Sequence, residues 1–431
     1  MAESRGGRFV ASLLCSTLLF VVVQPAVLGE VTWDDDGWLR TTFAQERLDL
    51  GDEFGCYGMP GLSWNNDPGA MANACKGYLE ARVNASQWGV SPLSIYSPDS
   101  LPSTDHERIA SQGFPIHGDL TGLDSTAWHD SEDEPVDVWD WYNLGRRGGS
   151  LEKGIGSVDV VESELLAGGI VNMYWIGRVN DATVRHDGEI IDMLNQYPDV
   201  WFTTWGEAWS SWAVKRCYSL DVSLEENLSA GTSILRFESL ITQQCTAAHP
   251  EAWNVPITWD IEVEGAEVLN VSGDDGGLPS IEGDRNTKEG WFQDGSGSVF
   301  LSVVNGHKIE ILVNGTNISH DVLGQTKFWN NHSSALTIAG HETSDLFKWA
   351  KRFVEDDSIR FTWLVTPRAA DSHATWIPFA VVSIGLTTVV AMLYLLKREE
   401  SIPVASRIGE VNSIQKQGFE SHQQRSLDAE E

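Results

Sequence analysis

The spacing of apolar and polar residues changes character near Cys217. Upstream of it, short apolar runs such as 169–179 (GIVNMYWIGRV) alternate with segments of helical spacing. The segment 157–169 (SVDVVESELLAGG) ends in a glycine pair that suits a helix C-terminus, and 186–198 (HDGEIIDMLNQYP) ends against a proline. This alternation of strand and helix predicts an α/β layer with parallel strands.

The end of this first region predicts a strand that leads into a helix. Residues 200–203 form a short apolar run, which is typical of a buried strand. Thr204 and Glu207 have the spacing of a capping box, in which two side chains bind backbone N–H groups at the start of a helix. Three tryptophans, which we interpret as core residues, recur there at helical spacing: Trp205, Trp209 and Trp212.

Downstream of residue 218 the pattern has the period of a β-strand. It occurs in 233–241 (SILRFESLI), 256–273 (PITWDIEVEGAEVLNVSG) and 298–315 (SVFLSVVNGHKIEILVNG). The Asn-Gly pair at 305–306 favours a type I′ hairpin turn. We therefore expect an antiparallel β-sandwich, followed by an amphipathic helix and a last strand, SIRFTWLVTP, that leads to the membrane.

Two apolar segments predict the topology. Residues 1–29 combine arginines with a short apolar core, which is typical of a signal peptide. The stretch 376–396 carries no charge, and as a helix it would reach about 31 Å, the thickness of a bilayer's hydrocarbon core. Lys397 and Arg398 follow it, so the tail 397–431 is expected in the cytoplasm. The sequence thus predicts a single-pass type I protein of the cell membrane.

Length and charge limit the number of domains and the kinds of partner that the protein can have. The stretch between the two apolar segments is too long for one ordinary core, and we expect two domains, 30–216 and 217–370. The chain has 62 acidic and 29 basic residues and a net charge of -33. Such a surface repels nucleic acid and anionic lipid head groups, so no nucleic-acid partner is expected. A run of three acids arises by chance about once in so acidic a chain.

The cysteines and glycosylation motifs agree with an extracytoplasmic location. Cys15 lies in the signal peptide, and the other four cysteines allow three pairings. The pairing of sequence neighbours is favoured, Cys56 with Cys75 and Cys217 with Cys245, and the lack of a CxxC motif disfavours a zinc cluster. Six sequons are predicted glycosylation sites: Asn84, Asn227, Asn270, Asn314, Asn317 and Asn331.

Four places in the first domain carry groups that bind metals or move protons. Each stands where a strand is expected to end: Asp34–Asp36, His117, His129 and His186. In parallel α/β folds such groups meet at the carboxyl ends of the strands. Zn²⁺ takes three ligands of the His or Asp type and leaves one position for water. Each group also has a structural explanation, such as a solvated acidic loop for the triplet and a helix cap for His186.

The order of these motifs resembles that of the polysaccharide deacetylases of the NodB homology type, within the glycoside hydrolase/deacetylase β/α-barrel group. The resemblance covers about residues 30–216. TWDDDG at 32–37 resembles the Thr-Phe-Asp-Asp-Gly motif, and ERIASQGFPIHGD at 107–119 resembles the segment that carries a metal-binding histidine. The stretch 184–212 is similar in order and spacing to the closing His-Asp, strand and Gly-Glu helix.

The resemblance implies a role for each motif. Anchored on Thr32, it makes Asp34 the catalytic base and Asp35 a metal ligand; anchored on Gly37, both roles shift by one residue. It implies two histidine ligands, His117 and a second one four residues later. Position 121 is Thr, so His129 is the nearest replacement.

His186 would protonate the leaving group, and the implied cofactor is a divalent metal, Zn. The expected fold is a deacetylase-like (β/α) barrel followed by an antiparallel β-sandwich and one C-terminal transmembrane helix. The resemblance implies a membrane-anchored extracellular hydrolase, a metal-dependent N-deacetylase that hydrolyses a non-peptide C–N bond of a polysaccharide or glycan. The alternative is a non-catalytic cell-surface protein that keeps the barrel as a scaffold and binds glycan or a neighbouring molecule.

Overall fold

The computed structural model describes residues 36–40, 42–97, 101–118, 158–176, 192–215, 217–241, 249–341, 359–367 and 377–400. All of these except the C-terminal helix belong to one compact unit, Thr32–Ala369. Its strands form one parallel sheet and two separate antiparallel sheets. The prediction of a mixed α/β protein with a parallel part and an antiparallel part is confirmed.

The parallel sheet has the form of a half-barrel. Its seven strands are β1 Glu53–Cys56, β2 Ser94–Tyr96, β3 Ile116–Gly118, β4 Ile170–Ile176, β5 Val200–Thr203, β15 Ser334–His341 and β16 Phe361–Val365. The order is β3-β2-β1-β16-β15-β4. Because β4 covers one edge of β15, β5 and β16 share the other edge, β5 along 334–337 and β16 along 338–340.

Helices cover both faces of this sheet. On the face that we call the outer face lie α1 Thr42–Asp49, α2 Pro68–Glu80, α3 Ser103–Ala110 and α4 Val158–Leu166, which share a core with the sheet. Helix α5, Trp205–Lys215, crosses the opposite, inner face, and all of its residues are buried. The three tryptophans of α5 are at most 3% exposed, so their predicted core role is confirmed.

The strand and capping box predicted before α5 are also confirmed. Strand β5 spans Val200–Thr203, and all four of its residues are buried. The Thr204 hydroxyl accepts from the backbone N–H of Glu207 at 3.3 Å, and the Glu207 carboxyl accepts from the Thr204 N–H at 3.4 Å. This reciprocal pair satisfies two N–H groups that a helix start leaves open.

The two antiparallel sheets lie between β5 and β15 in sequence and share one core. The five-stranded sheet contains β6 Tyr218–Asn227, β7 Thr232–Ile241, β9 Val268–Gly273, β10 Gly276–Gly277 and β13 Lys308–Asn314. The four-stranded sheet contains β8 Ile257–Glu264, β11 Gly290–Gln293, β12 Ser298–Val303 and β14 Ser319–Gln325. Their strand orders are β10-β9-β13-β7-β6 and β11-β12-β8-β14.

The structure differs from the sequence analysis at Asn305–Gly306. The predicted hairpin is wrong, because β12 and β13 belong to different sheets and the pair lies in the connection between them. Gly306 has a φ of +91°, so the local turn tendency is real. The two flanking strands pair with β8 and β7 instead of with each other.

A second difference concerns the end of the stretch 217–370, which was expected to form the sandwich. Strands β15 and β16 lie in this stretch and pair with β4 and β1 of the parallel sheet. All residues of both strands are buried. Continuous burial is what a parallel strand with helices on both faces requires, and it removes the polar alternation of a sandwich strand.

The two ends of the chain are described only in part. Residues 1–35 and 401–431 lie outside the described residues. Helix α6 spans Ile377–Glu400. Within the part of the chain that the structure describes, no helix is both long enough and apolar enough to cross a membrane.

One predicted disulfide is present, between Cys56 at the end of β1 and Cys75 in α2. It fastens α2 to the outer face of the sheet. Cys217 is also disulfide-bonded, while Cys245, its predicted partner, lies outside the described residues. All six sequon asparagines are exposed, as the attachment of a glycan requires. Two short 3₁₀ helices, Trp38–Arg40 and Trp329–Asn331, complete the described elements.

Candidate functional site

Three rings meet at the carboxyl ends of the parallel strands. Tyr57 follows β1, Tyr96 ends β2 and His341 ends β15. The rings of Tyr57 and His341 are 4.1 Å apart and parallel to within 2°, and those of Tyr57 and Tyr96 are 5.9 Å apart at 10°. Tyr57 is half-buried, whereas the other two are almost fully buried. The carboxyl edge of such a sheet is where ligands bind in open α/β folds.

Below this edge, Glu53 lies on the inner face beneath the start of α5. The backbone N–H of Gly206 donates to its carboxyl at 2.7 Å, the Thr362 hydroxyl donates at 3.1 Å, and the Ser94 hydroxyl donates to its other oxygen. The side chain is fully buried, and this burial raises the pKa of Glu53 to about 7, although the hydrogen bonds from Ser94 and Gly206 lower it. Glu53 therefore changes charge near neutral pH while it ties α5 to the sheet.

Glu207, which follows Gly206 in α5, is a second buried carboxyl. Its oxygens accept from the Trp88 indole N–H at 2.7 Å, from the Thr203 hydroxyl at 3.1 Å and from the Thr287 hydroxyl at 3.2 Å. Burial raises the pKa of Glu207, and the hydrogen bond from Trp88 is the largest opposing effect. Glu207 is only 2% exposed, so its role is to cap α5 and to bind β5 to the antiparallel region.

Asp52, which precedes Glu53, forms hydrogen bonds on the outer face of the sheet. Its carboxyl accepts from Arg47, from the backbone N–H of Phe361 at 3.1 Å and from the Trp363 indole N–H at 2.6 Å. The Arg47 guanidinium lies 5.2 Å from the centre of the Phe361 ring. A buried carboxylate with this many donors is a structural group that fixes the start of β16 beside β1.

His117 is the one predicted metal ligand among the described residues. Ile116 belongs to the inner core, so His117 points to the outer face, away from α5. Its Nε2 lies 2.6 Å from the carbonyl oxygen of Phe114, and its Nδ1 lies 2.9 Å from Nδ1 of His106 on α3. A carbonyl oxygen only accepts, so Nε2 carries the proton and the Nδ1 lone pair faces His106. Both ring nitrogens have a partner in this structure, and the role of His117 as a metal ligand stays a prediction.

Asp36, the last residue of the acidic triplet, lies beside the end of α2. The Tyr78 hydroxyl donates to its carboxyl at 2.9 Å, and the Arg82 guanidinium donates to its carbonyl oxygen at 2.9 Å. Helix α2 connects two adjacent parallel strands, so its C-terminal end lies near the amino edge of the sheet. Asp36 is therefore on the side opposite to the three-ring stack.

The other predicted site residues lie outside the described residues: Asp34, Asp35, His129 and His186. Among the described residues, no three side chains of His, Cys, Asp or Glu are placed to share a metal ion. The zinc site, its ligands and the two catalytic residues stay predictions. No reaction step is assigned to a metal.

Sequence reasoning did not identify Glu53, Tyr57 or His341. A signal existed for His341, because it ends an apolar run, SALTIAGH, of the kind that parallel strands show. Glu53 begins the four-residue strand β1 and Tyr57 follows it, and this strand is too short to show a period in the sequence.

The chain matches no protein-family model, no curated protein and no solved structure. The fold and the geometry of the sheet are therefore the basis for a functional proposal.

Proposed function

We propose that this protein is a carbohydrate-active hydrolase that removes N-acyl groups from a glycan at the carboxyl edge of its parallel sheet. One observation carries the proposal. Strand β3 ends at Gly118 and strand β4 at Ile176, and in sequence they are followed by the segments that contain His129 and His186. Both strands end at the edge where the three-ring stack lies, which is where parallel α/β enzymes bind substrate.

The stack supports a carbohydrate as the substrate class. Sugar rings present apolar C–H faces and polar hydroxyls, and tyrosine combines a flat apolar ring with a hydroxyl. The half-buried ring of Tyr57 stacks on the ring of His341 and lies nearly parallel to that of Tyr96, so it is held in one orientation. A preformed aromatic surface loses little side-chain entropy when it binds a ligand.

Hydrolysis of an N-acyl group needs a water that attacks the carbonyl carbon and an acid that protonates the leaving nitrogen. We assign the second role to His186, because an imidazole changes its protonation state near neutral pH. The role of Asp34 as base belongs to the same proposal, although the position of Asp36 near the amino edge gives it no support. The extracytoplasmic, membrane-anchored location is also part of the proposal and rests on the sequence.

The test is acetate release by the purified full-length protein from N-acetylated oligosaccharides. We expect His186→Ala to lower the rate by about 10²-fold or more, the scale of a lost general acid. The control is His320→Ala, on strand β14 of the four-stranded sheet, which should leave the rate unchanged. A protein that releases no acetate from any N-acetylated glycan, or a His186→Ala variant that keeps the full rate, would refute the assignment.

The second candidate is a non-catalytic glycan-binding protein on the same scaffold. The three-ring stack supports it as well, because stacked aromatic rings can bind a sugar without a metal or a catalytic group. This candidate predicts that the protein binds glycans without acetate release, and that Tyr57→Ala weakens the binding. Glycan binding that survives all changes at the carboxyl edge would count against both candidates.

A further inference from the structure

The solvent-facing side of the five-stranded sheet carries a groove of about 560 Å³. This volume is within the ~300–1,000 Å³ of small-ligand sites. The groove is built from cross-strand neighbours, which the pairing of the strands places side by side. One row across it consists of Ser223, Arg236, Glu310 and Ser272. The next row consists of Asp221, Glu238 and Lys308.

The row on the other side of Arg236 is largely apolar, whereas the two rows in the groove are polar. Asn270 on β9 is paired directly with Leu312 on β13, and Leu312 is paired with Ile234 on β7. Both apolar side chains point to solvent and are half-buried, whereas Asn270 is exposed. Directly opposite residues on one face of a sheet have Cβ atoms about 5 Å apart. Asn270 therefore stands beside an apolar strip that borders the polar groove.

Asn270 is also the first residue of the sequon Asn270-Val271-Ser272. Ser272 lines the groove, and it lies two residues further along the same face of β9, about 7 Å away. A glycan attached to Asn270 would thus begin next to Leu312 and have the groove immediately in front of it. We propose that this groove holds the first sugars of the N-linked glycan on Asn270.

The chemistry of the two rows suits these sugars. The apolar face of the first ring packs on Leu312 and Ile234, and the hydroxyl and acetamido groups of the chain reach the charged side chains of the next row. Arg236 is held there between Glu225 and Glu310 at the surface, with Arg236 Nε 2.8 Å from a Glu310 oxygen. The lining carries more acidic than basic groups, which favours a neutral sugar over an anion.

The sequon at Asn227 provides a matched comparison. Asn227 is exposed at the end of β6, where its side chain accepts from the Ala230 N–H in the turn to β7. Asn227 is not among the residues that line the groove. A glycan there should project into solvent.

The test uses the full-length protein made in a secretory cell that attaches N-glycans. Peptide N-glycosidase is applied to the folded protein, and glycopeptides are quantified site by site by mass spectrometry. We expect release from Asn270 to be about tenfold slower than from Asn227, which corresponds to about 1.4 kcal/mol of packing. After denaturation the two sites should be released at equal rates.

Leu312→Thr removes the apolar contact and keeps the sequon and the strand tendency. It should bring the Asn270 rate to that of Asn227, whereas Leu323→Thr, an exposed position on β14, should change neither. Equal rates at the two sites in the folded, unaltered protein, or an Asn270 that carries no glycan, would overturn the proposal. If Leu312→Thr fails to fold, the comparison in the unaltered protein decides alone.

Discussion

The buried carboxyl of Glu53 makes a quantitative prediction about stability and pH. In the unfolded chain a glutamate has a pKa of 4.5, and burial raises the pKa of Glu53 to about 7 in the folded protein. Between these values the folded state holds more protons than the unfolded state, so the free energy of unfolding falls as the pH rises. One pKa unit is worth about 1.4 kcal/mol, so the loss between pH 4.5 and pH 7 is about 3 kcal/mol.

The substitution Glu53→Gln should remove this dependence. Glutamine has the shape of the protonated glutamate, and its oxygen still accepts from the Gly206 N–H. We expect wild type and variant to be about equally stable at pH 4.5, and the variant to be more stable by about 2–3 kcal/mol at pH 8. The decrease in the free energy of unfolding of the wild type is complete above about pH 7.

Urea unfolding followed by tryptophan fluorescence at several pH values measures the difference directly. Glu207, whose pKa is also raised, contributes a slope of the same sign, but it is present in both proteins and cancels in the comparison. Glu264→Gln, at an exposed position at the end of β8, is the control and should leave the pH profile unchanged. A difference between Glu53→Gln and wild type that does not change with pH would refute the reasoning.

Two further predictions concern packing and the disulfide. In Gly206→Ala the new Cβ would lie 2.2 Å from the Trp253 ring, so we expect a loss of about 1–3 kcal/mol of stability, whereas Gly77→Ala, with open space around it in α2, should stabilise by about 0.5–1 kcal/mol. Thermal unfolding of both variants checks the signs, and a stable Gly206→Ala would show that α5 shifts easily. Replacing Cys56 and Cys75 by Ser should lower the free energy of unfolding by about 3 kcal/mol, because their bond closes a loop of 19 residues. A urea midpoint of the wild type that is the same under reducing and oxidising conditions would contradict this.

The part of the fold that was predictable from sequence is the part that local chemistry determines. The strand 200–203 and the helix after it were identified because Thr204 and Glu207 form their hydrogen bonds within one turn. The Cys56–Cys75 bond also joins neighbours in sequence. In contrast, the pairing of β16 with β1 joins Thr362 to Glu53, and no local pattern encodes such a partner.

The same reasoning explains what was missed in the site. The imidazole of His341 meets Tyr57 only because β15 and β16 return to the sheet after the antiparallel region. Glu53 follows Asp52 at the start of a short strand, and its raised pKa comes from burial, which outweighs the hydrogen bonds from Ser94 and Gly206. Contacts between residues so far apart in sequence form only when the chain folds. His129 and His186, in contrast, were selected by residue type, and their assignment stays a prediction.

The late return of β15 and β16 has a consequence for how the chain is made. Strand β1 lies between β2 and β16, and roughly 300 residues separate β1 from β16 along the chain. At ~5–20 residues per second, a ribosome needs about 15–60 s to deliver the missing neighbour. During that time β1 offers an open edge to other nascent chains, and any truncation before residue 361 leaves it open permanently.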